Sequence, residues 1–205
     1  MKNNLRQYNI NECVSFKKTN EVFGGLSNMA GGYPIVVNNI YIRTSEALYQ
    51  AMRFPDYPAI QAKIISQKSP MAAKIISKKY SITKTRKDWN YKRIAIMKWC
   101  LRVKLIQNLE TFGSLLDSTD NMNIVELSKN DNFWGAIKIN DEIVEGTNAM
   151  GRLLMELREI HLNSNMRSLN PLNIDKFLLN NQTIGLIKPL LNKDDFIVKD
   201  STSLF

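Results

Sequence analysis

Short runs of apolar and β-branched residues predict four strands. These runs are residues 13–16, 35–37, 40–42 and 123–127. The pair Asn38-Asn39 predicts a tight β-hairpin between the second and third runs, because asparagine tolerates the positive φ values of a two-residue turn. Residues 23–34 contain two glycine pairs and predict a loop, which either lines a ligand or only connects two elements.

Apolar residues at spacings of three and four predict three short helices in the middle of the chain. The first follows a cap at Thr44 or Ser45 and ends at Pro55. The other two begin at Pro58 and Pro70, because proline favours the first helical turn. The residues expected on the inner faces of these two helices are Ile60, Ile64, Met71 and Ile75.

The longest predicted helix begins after Asp88, and a tryptophan within it, Trp99, is expected to pack in the core. Its other faces are rich in lysine and arginine, which is typical of a solvated surface and less often of a nucleic-acid-binding ridge. Two further helices are predicted over residues 109–117 and 149–162. The inner positions of the longest helix are Ile94, Met97, Leu101 and Leu105.

Residues 131–157 combine features that suit an anionic ligand. A strand-like run that contains an acid, two aromatic residues and a glycine precedes Gly-Thr-Asn, which opens an amphipathic helix. The free N–H groups of that helix start and the guanidinium of Arg152 predict a site for a phosphorylated sugar. The alternative is an edge strand followed by an ordinary core helix.

The composition is that of a globular protein with a basic surface. Hydrophobic residues make up 44% of the chain, and the net charge of +9 favours a polyanionic partner. No apolar run approaches the ~20 residues needed to span a bilayer, and no secretory signal is evident, so a cytoplasmic protein is expected. Cys13 and Cys100 are expected to be reduced thiols, and one histidine gives little support to a zinc site.

The last part of the chain differs from the rest. Residues 163–205 are rich in asparagine and leucine, with acidic residues near the end, and contain no catalytic motif. They predict an extension that packs on the preceding domain, residues 1–162, or binds a partner. The acidic residues are Asp194, Asp195 and Asp200.

Six blocks resemble, in this order and at similar spacing, the NADAR family, whose members are also called YbiA-like proteins. They are LSNMAGGYPI, RTSEALYQAMRF, SPMAAKI, RKDWNYKRIAIMKWCLRVKL, NDNFWG and GTNAMGRLLMELR. The likeness covers roughly residues 13–162. It implies a single α+β domain, predominantly helical, with a short β-hairpin and further strands. It also implies a cleft that binds ADP-ribose-like or ribosylamino-pyrimidine molecules and cleaves an N-glycosidic bond.

The resemblance implies three catalytic candidates. No metal and no cofactor is expected, although the residues leave open a hard cation held by carboxylates and phosphates. Glu46 matches the glutamate of the TSE motif, Asp131 the aspartate before the aromatic-Trp-Gly, and Lys104 the lysine of an LRAKF-like block. The chain departs from the family at Met29 and Arg53, where phenylalanine and lysine are usual. The residues expected to bind substrate are Ser27, Asn28, Arg43, Tyr49, Gln50, Arg53, Trp89, Trp134, Gly135, Asn148, Gly151 and Arg152.

Two routes for breaking the bond between C1 of ribose and a base nitrogen remain open from the sequence. In one, Glu46 is the principal carboxylate that stabilises an oxocarbenium-like state or activates water, and Asp131 is a second acid/base or an anchor for ribose hydroxyls. In the other, Lys104 attacks C1 of a ring-opened ribose and forms a Schiff base, provided that burial lowers its pKa.

The substrate follows from the resemblance and the charge. Some relatives act on early riboflavin-pathway intermediates, and NADAR domains of DarG-type antitoxins remove ADP-ribose from guanine in DNA modified by a DarT-type toxin. Arginine where pathway-type relatives tend to have lysine, together with the charge of +9, favours the second group. ADP-ribosylated DNA, ADP-ribose and a DarT-type toxin are therefore the expected partners. The alternatives are the riboflavin-pathway reaction, a non-catalytic ADP-ribose-binding module and a plain nucleic-acid-binding protein.

Overall fold

The computed structural model describes residues 5–164 and 167–190, and it confirms the predicted α+β class. Over these residues the chain forms six α-helices and nine short strands, and none of these helices is long and apolar enough to cross a bilayer. The helices are α1 Ser45–Ala51, α2 Pro58–Ile65, α3 Pro70–Tyr80, α4 Trp89–Gln107, α5 Ser114–Asp117 and α6 Ala149–Asn163. The strands are β1 Arg6–Asn9, β2 Cys13–Phe16, β3 Ile35–Val37, β4 Ile40–Ile42, β5 Asn123–Glu126, β6 Ile137–Lys138, β7 Ile143–Gly146, β8 Leu178–Leu179 and β9 Gln182–Thr183.

Helix α1 lies at the centre of the fold. All of its residues are buried, and it packs against α2, α3 and α4. Thr44 caps it, because the Thr44 hydroxyl accepts a hydrogen bond from Ala47 N at 3.2 Å. A carboxylate is rarely found in such a buried position unless it has polar partners or a function. Glu46, in the first turn of this helix, therefore needs an explanation.

The strands form small separate sheets. β2 and β5 pair in parallel, with Phe16 opposite Glu126, and β1, β7 and β6 form an antiparallel sheet. β3 and β4 form the predicted hairpin, and its turn residues Asn38 and Asn39 have φ values of 51° and 61°. Helix α6 packs against β5, and this contact positions the end of the strand at the functional site.

Three residues predicted on inner helix faces are exposed. Met71 and Ile75 of α3 are 54% and 52% exposed, and Ile94 of α4 is 39% exposed. The buried face of α3 carries the small residues Ala73 and Ser77, which leave room for α1. Apolar spacing alone therefore selected the wrong face of α3.

Residues 131–135 form a turn, and the prediction of a strand-like run there is wrong. Asp131 Oδ1 accepts hydrogen bonds from the backbone N–H groups of Phe133 and Trp134, both at 2.9 Å. An aspartate that bonds its own backbone two and three residues ahead closes a local turn, which competes with strand pairing.

Residues 167–190 pack against the helical core. Phe177, Leu179 and Ile187 of this segment are buried, and the ring centroids of Phe177 and Trp99 lie 4.9 Å apart. The indole N–H of Trp99 donates to the carbonyl of Asn170 at 3.0 Å. Trp99 therefore packs in the core, as predicted. The three acidic residues near the end of the chain lie outside the described residues.

Candidate active site

A cavity of about 490 Å³ opens between α1, α3, α4 and the chain that follows β5. This volume is in the range of small-molecule sites. Each of the six sequence blocks contributes at least one residue to its lining. The residues predicted to act in catalysis or binding that line it are Asn28, Glu46, Tyr49, Gln50, Arg53, Trp89, Asp131, Trp134 and Gly135.

Glu46 is buried against this cavity, and both of its carboxylate oxygens accept hydrogen bonds. Asn28 Nδ2 donates to Oε2 at 2.5 Å, and Gln50 Nε2 donates to Oε1 at 2.8 Å. The hydroxyl of Ser77 donates to Gln50 Oε1 at 2.5 Å, which fixes the orientation of that amide. The carboxylate is therefore held in one orientation before any ligand binds.

The environment of Glu46 makes it a stronger proton acceptor than an exposed glutamate. Burial raises the pKa of its carboxyl, while the hydrogen bond from Gln50, the charge of Lys74 and the hydrogen bond from Asn28 oppose that rise. A desolvated carboxylate with fixed donors that faces a cavity is a candidate for acid–base or electrostatic catalysis.

Tyr49, Trp89 and Trp134 form an aromatic wall on the cavity. The ring centroid of Tyr49 lies 5.0 Å from that of Trp89 and 5.8 Å from that of Trp134. Burial and the nearby charge of Glu46 raise the pKa of the Tyr49 hydroxyl, which therefore stays protonated and can donate. Flat rings of this kind stack on a base or cover one face of a sugar.

Two arginines flank the aromatic wall. The guanidinium carbon of Arg53 lies 5.1 Å from the ring centroid of Trp89, and that of Arg93 lies 4.0 Å from the ring centroid of Phe133. Neither arginine pairs with a carboxylate of the part of the chain that the structure describes. Guanidinium groups ordered by stacking but without a counter-ion are well suited to phosphate oxygens.

Asp131 lines the cavity but is itself exposed. Its Oδ1 atom is already engaged by the two N–H groups of the turn that it closes. Its Oδ2 atom accepts no hydrogen bond from the described residues, so it can accept one from a ribose hydroxyl. This geometry favours the anchoring role over the acid/base role for Asp131.

Lys104 does not line the cavity, and its side chain instead anchors the loop that contains Gly25 and Ser27. It is fully buried, and its ammonium donates to the carbonyls of Gly25 at 2.6 Å and Ser27 at 3.0 Å. The ring centroids of Tyr33 and Phe112 lie 4.4 and 4.1 Å, respectively, from the Nζ atom of Lys104. Burial lowers the pKa of Lys104, as the Schiff-base route requires, but the amine is enclosed by the loop that it anchors.

Asn148 and Gly151 hold strand β5 and do not line the cavity. Asn148 is fully buried; its Nδ2 donates to the carbonyl of Ile124 at 2.8 Å, and its Oδ1 accepts from the backbone N–H of Glu126 at 3.2 Å. A Cβ atom on Gly151 would lie 2.0 Å from the carbonyl oxygen of Ile124. Only glycine at this position allows α6 to approach β5.

The start of α6 lacks two of the free N–H groups on which the predicted phosphate site rested. The N–H groups of Ala149 and Met150 donate to the carbonyls of Phe133 and Trp134, both at 2.9 Å, and are not free for an anion. Arg152 lines a separate groove of about 370 Å³ next to α4. The cations that line the cavity beside Glu46 are Lys17, Arg53, Lys74 and Arg93.

Ser27 and Arg43 also lie outside the cavity lining. The hydroxyl of Ser27 accepts a hydrogen bond from the backbone N–H of Met29 at 3.2 Å, and so it shapes the loop that carries Asn28. Arg43 is half-buried immediately before the cap of α1.

The sequence reasoning missed four charged residues that line the cavity, Lys17, Lys74, Arg93 and Glu126. Arg93 follows Trp89 by four residues on α4, so the two lie on the same helix face, and this spacing could have identified it. Lys74 lies in the block SPMAAKI, whose charge pattern gave no further signal. Glu126 ends a strand that was predicted, but nothing in the local sequence shows that its side chain is largely buried.

The comparison with protein families decides the identity. The model of the NADAR domain matches residues 15–161, which is most of the chain. The chain belongs to the NADAR family. Every residue that lines the cavity beside Glu46 lies inside the range matched by the NADAR family model. The packed segment 167–190 lies beyond that range.

The chain is also similar to proteins that are named for a function. N-glycosidase YbiA of Escherichia coli strain K12 is 34% identical over 146 residues, which cover 71% of this chain and 86% of that protein. The NMR structure of E. coli YbiA superposes with a TM-score of 0.61 at 34% identity and covers 71% of this chain and 82% of that one. A riboflavin biosynthesis protein of Vibrio vulnificus is 31% identical over 157 residues, 76% of this chain but 40% of that protein.

Proposed function

We propose that this NADAR domain is an N-glycosidase that hydrolyses the bond between C1 of a phosphorylated ribose and a base nitrogen. The observation that carries the proposal is the buried carboxylate of Glu46, fixed by Asn28 and Gln50 at a cavity with an aromatic wall and two arginines that form no ion pair with the described residues. The similarity to N-glycosidase YbiA supports the reaction class.

Glu46 acts on the sugar in this proposal. Breaking the C1–N bond builds positive charge on the ribose, and a desolvated carboxylate stabilises that charge more strongly than one in water. The same carboxylate accepts the proton of the water that attacks C1. Asn28 and Gln50 keep it oriented throughout, so little reorganisation accompanies the reaction.

The rest of the cavity binds the other parts of the substrate. The aromatic wall stacks on the base, and the Oδ2 atom of Asp131 accepts a hydrogen bond from a ribose hydroxyl. Arg53 and Arg93 bind the phosphate oxygens. The cavity is small, so a nucleic acid substrate would have to present a single modified nucleotide to it.

The substrate that we favour is ADP-ribosyl-guanine in DNA, whose hydrolysis would make the protein an antitoxin against a DarT-type toxin. Four cations and three carboxylates line the cavity, and the chain as a whole carries a net charge of +9. This excess of positive charge favours a substrate that contains a diphosphate and is attached to a polyanion.

The second candidate is an early riboflavin-pathway intermediate, a ribosylamino-pyrimidine phosphate. The similarity to a riboflavin biosynthesis protein of V. vulnificus favours it. It has the same type of bond and one phosphate, so the carboxylate chemistry would be unchanged. The two candidates differ in the number of phosphates and in the need to bind DNA.

One experiment compares them. The protein is incubated with an oligonucleotide ADP-ribosylated on guanine by a DarT-type toxin and, in parallel, with a ribosylamino-pyrimidine 5′-phosphate, and the released base is measured by mass spectrometry. Restored guanine, absent with Glu46→Gln, supports the antitoxin reaction. Release from the pyrimidine compound alone supports the second candidate. Tight ADP-ribose binding without turnover of either compound would replace both with a non-catalytic binding module.

A further inference from the structure

Glu126 is a third carboxylate of the cavity, and no sequence block that carries the family resemblance contains it. It is the last residue of β5, and its side chain is largely buried between the charges of Asp131, Glu46 and Lys74. Its carboxyl forms no hydrogen bond and no ion pair with residues 5–164 or 167–190. It differs in this from Glu46, whose two oxygens are both engaged.

The backbone of Glu126 is held by two hydrogen bonds and packs closely against Gly135. Its N–H donates to Asn148 Oδ1 at 3.2 Å, and its carbonyl accepts from the N–H of Ala136 at 2.8 Å. A Cβ atom on Gly135 would lie 2.4 Å from the same carbonyl oxygen, so only glycine allows this approach. Residues of the blocks NDNFWG and GTNAMG therefore converge on this strand end. A position fixed in this way, with an unengaged carboxyl in the cavity, suits a group that acts on a bound ligand.

We infer that Glu126 is the general acid of this site, a catalytic residue that donates its proton to the departing base. The inference rests on the proposed N-glycosidase function. As the C1–N bond breaks, its electron pair passes to the base, and the base nitrogen takes the proton of Glu126. Water adds its oxygen to C1 and gives a proton to Glu46. Glu46 then releases its proton to solvent and Glu126 takes one up from solvent, so the net reaction is hydrolysis.

The electrostatic surroundings agree with this assignment. Burial, with smaller contributions from Asp131 and Glu46, raises the pKa of Glu126 to about 7, and Lys74 opposes this rise. A carboxyl with such a pKa is protonated in a large fraction of molecules near neutral pH and can still release its proton to a base. Two carboxylates of one cavity with different hydrogen-bonding environments are typical of an acid and its partner base.

The test uses two substrates with the same ribose and phosphates but different leaving groups. One carries guanine or another base that needs a proton to depart, and the other carries p-nitrophenol at C1, which departs as a stable anion. Glu126→Gln should lower kcat for the base-linked substrate roughly 100-fold or more and leave that for the nitrophenyl substrate close to wild type. Glu126→Asp, which keeps an acid, should recover part of the lost rate.

The controls separate a chemical role from a structural one. Glu46→Gln should lose both substrates, and Glu159→Gln, which removes an exposed carboxylate of α6, should retain both. The wild-type rate on the base-linked substrate should fall as pH rises through about 7, and the pH–rate profile of Glu126→Gln should lack this decrease. Equal loss of both substrates in Glu126→Gln would overturn the general-acid role while leaving the glycosidase intact. Failure of the wild type on both would overturn the proposed function, and the role of Glu126 with it.

Discussion

The side chain of Asn148 at the start of α6 accepts a hydrogen bond from the backbone N–H of Glu126, at 3.2 Å. It also donates to the carbonyl of Ile124 on the same strand. The buried side-chain amide of Asn148 therefore connects the start of α6 to strand β5, whose last residue lines the cavity. Asn148 therefore affects function by positioning Glu126.

Asn148→Ala should destabilise the fold. The substitution leaves the backbone groups of Ile124 and Glu126 without partners, and alanine tolerates the positive φ of 48° poorly, so we expect the free energy of unfolding to fall by about 2–4 kcal/mol. Urea denaturation measures this change. Arg152→Ala, in the separate groove on the same helix, serves as the control and should change stability by less than about 0.5 kcal/mol. Equal effects of the two substitutions would contradict the structural role of the Asn148 side chain.

Glu46→Gln should separate catalysis from binding. Glutamine keeps the size of the side chain but neither stabilises positive charge on ribose nor accepts a proton, so we expect kcat to fall at least about 100-fold. The Kd for ADP-ribose, measured by calorimetry, should change only a few-fold, because Arg53, Arg93 and the aromatic wall are intact. A variant that retains full turnover would remove Glu46 from the mechanism.

Arg93→Ala should weaken binding of phosphorylated ligands. Loss of a charge-assisted contact to phosphate is worth about 1.5–3 kcal/mol, which corresponds to a rise of roughly 10- to 150-fold in the Kd for ADP-ribose. Lys87→Ala removes the same charge at an exposed position just before α4 that does not line the cavity, and its Kd should stay within about twofold of wild type. If both substitutions weaken binding equally, general charge and not a specific contact is responsible.

Borohydride reduction during turnover should trap no adduct on Lys104. Its amine is enclosed by the carbonyls of Gly25 and Ser27, and it does not face the cavity. Lys74 lines the cavity, and its charge lowers the pKa of both Glu46 and Glu126, so it is the lysine on which an adduct would be expected. Peptide mapping of the reduced protein decides between the two. An adduct mapped to Lys104 would mean that the loop over it opens during the reaction.

Glu126→Gln should raise stability in a pH-dependent manner. In the unfolded chain this carboxyl ionises near its ordinary pKa of 4.5, whereas in the folded protein its pKa is about 7. The folded state therefore binds the proton more tightly, and this carboxyl makes the protein less stable as pH rises from about 4.5 to about 7. The melting temperatures of variant and wild type should be similar at pH 4.5, and the variant should melt higher at pH 8. A difference that is constant with pH would argue against a perturbed carboxyl.

Local features of the fold could be predicted because neighbouring residues determine them. The positive φ values of Asn38 and Asn39 fix the hairpin, and the Thr44 hydroxyl fixes the start of α1. The face of α3 could not be predicted in the same way. Its buried side is set by the small residues Ala73 and Ser77, which meet α1, and contact between distant segments overrides apolar spacing.

The sequence blocks that contribute to the candidate site could be predicted, but the contacts made by their individual side chains could not. Asn148, Gly151 and Lys104 belong to motifs and carry polar or special backbone chemistry, so the sequence predicted that the first two bind substrate and that Lys104 is catalytic. In the fold they satisfy buried carbonyls or permit a close approach of two backbones. Conversely, Glu126 and Arg93 reach the cavity from regular elements, and only the packing of those elements shows it.

The segment 167–190 extends the core beyond the region that the NADAR family model matches. The ring of Phe177 packs nearly perpendicular to that of Trp99, and the carbonyl of Asn170 accepts a hydrogen bond from its indole N–H. A fragment cut at the family boundary would expose this tryptophan to water with its N–H unpaired, although every cavity residue would be present. The smallest unit of this chain that can be expected to fold and to be assayed is therefore larger than its catalytic domain as the family defines it.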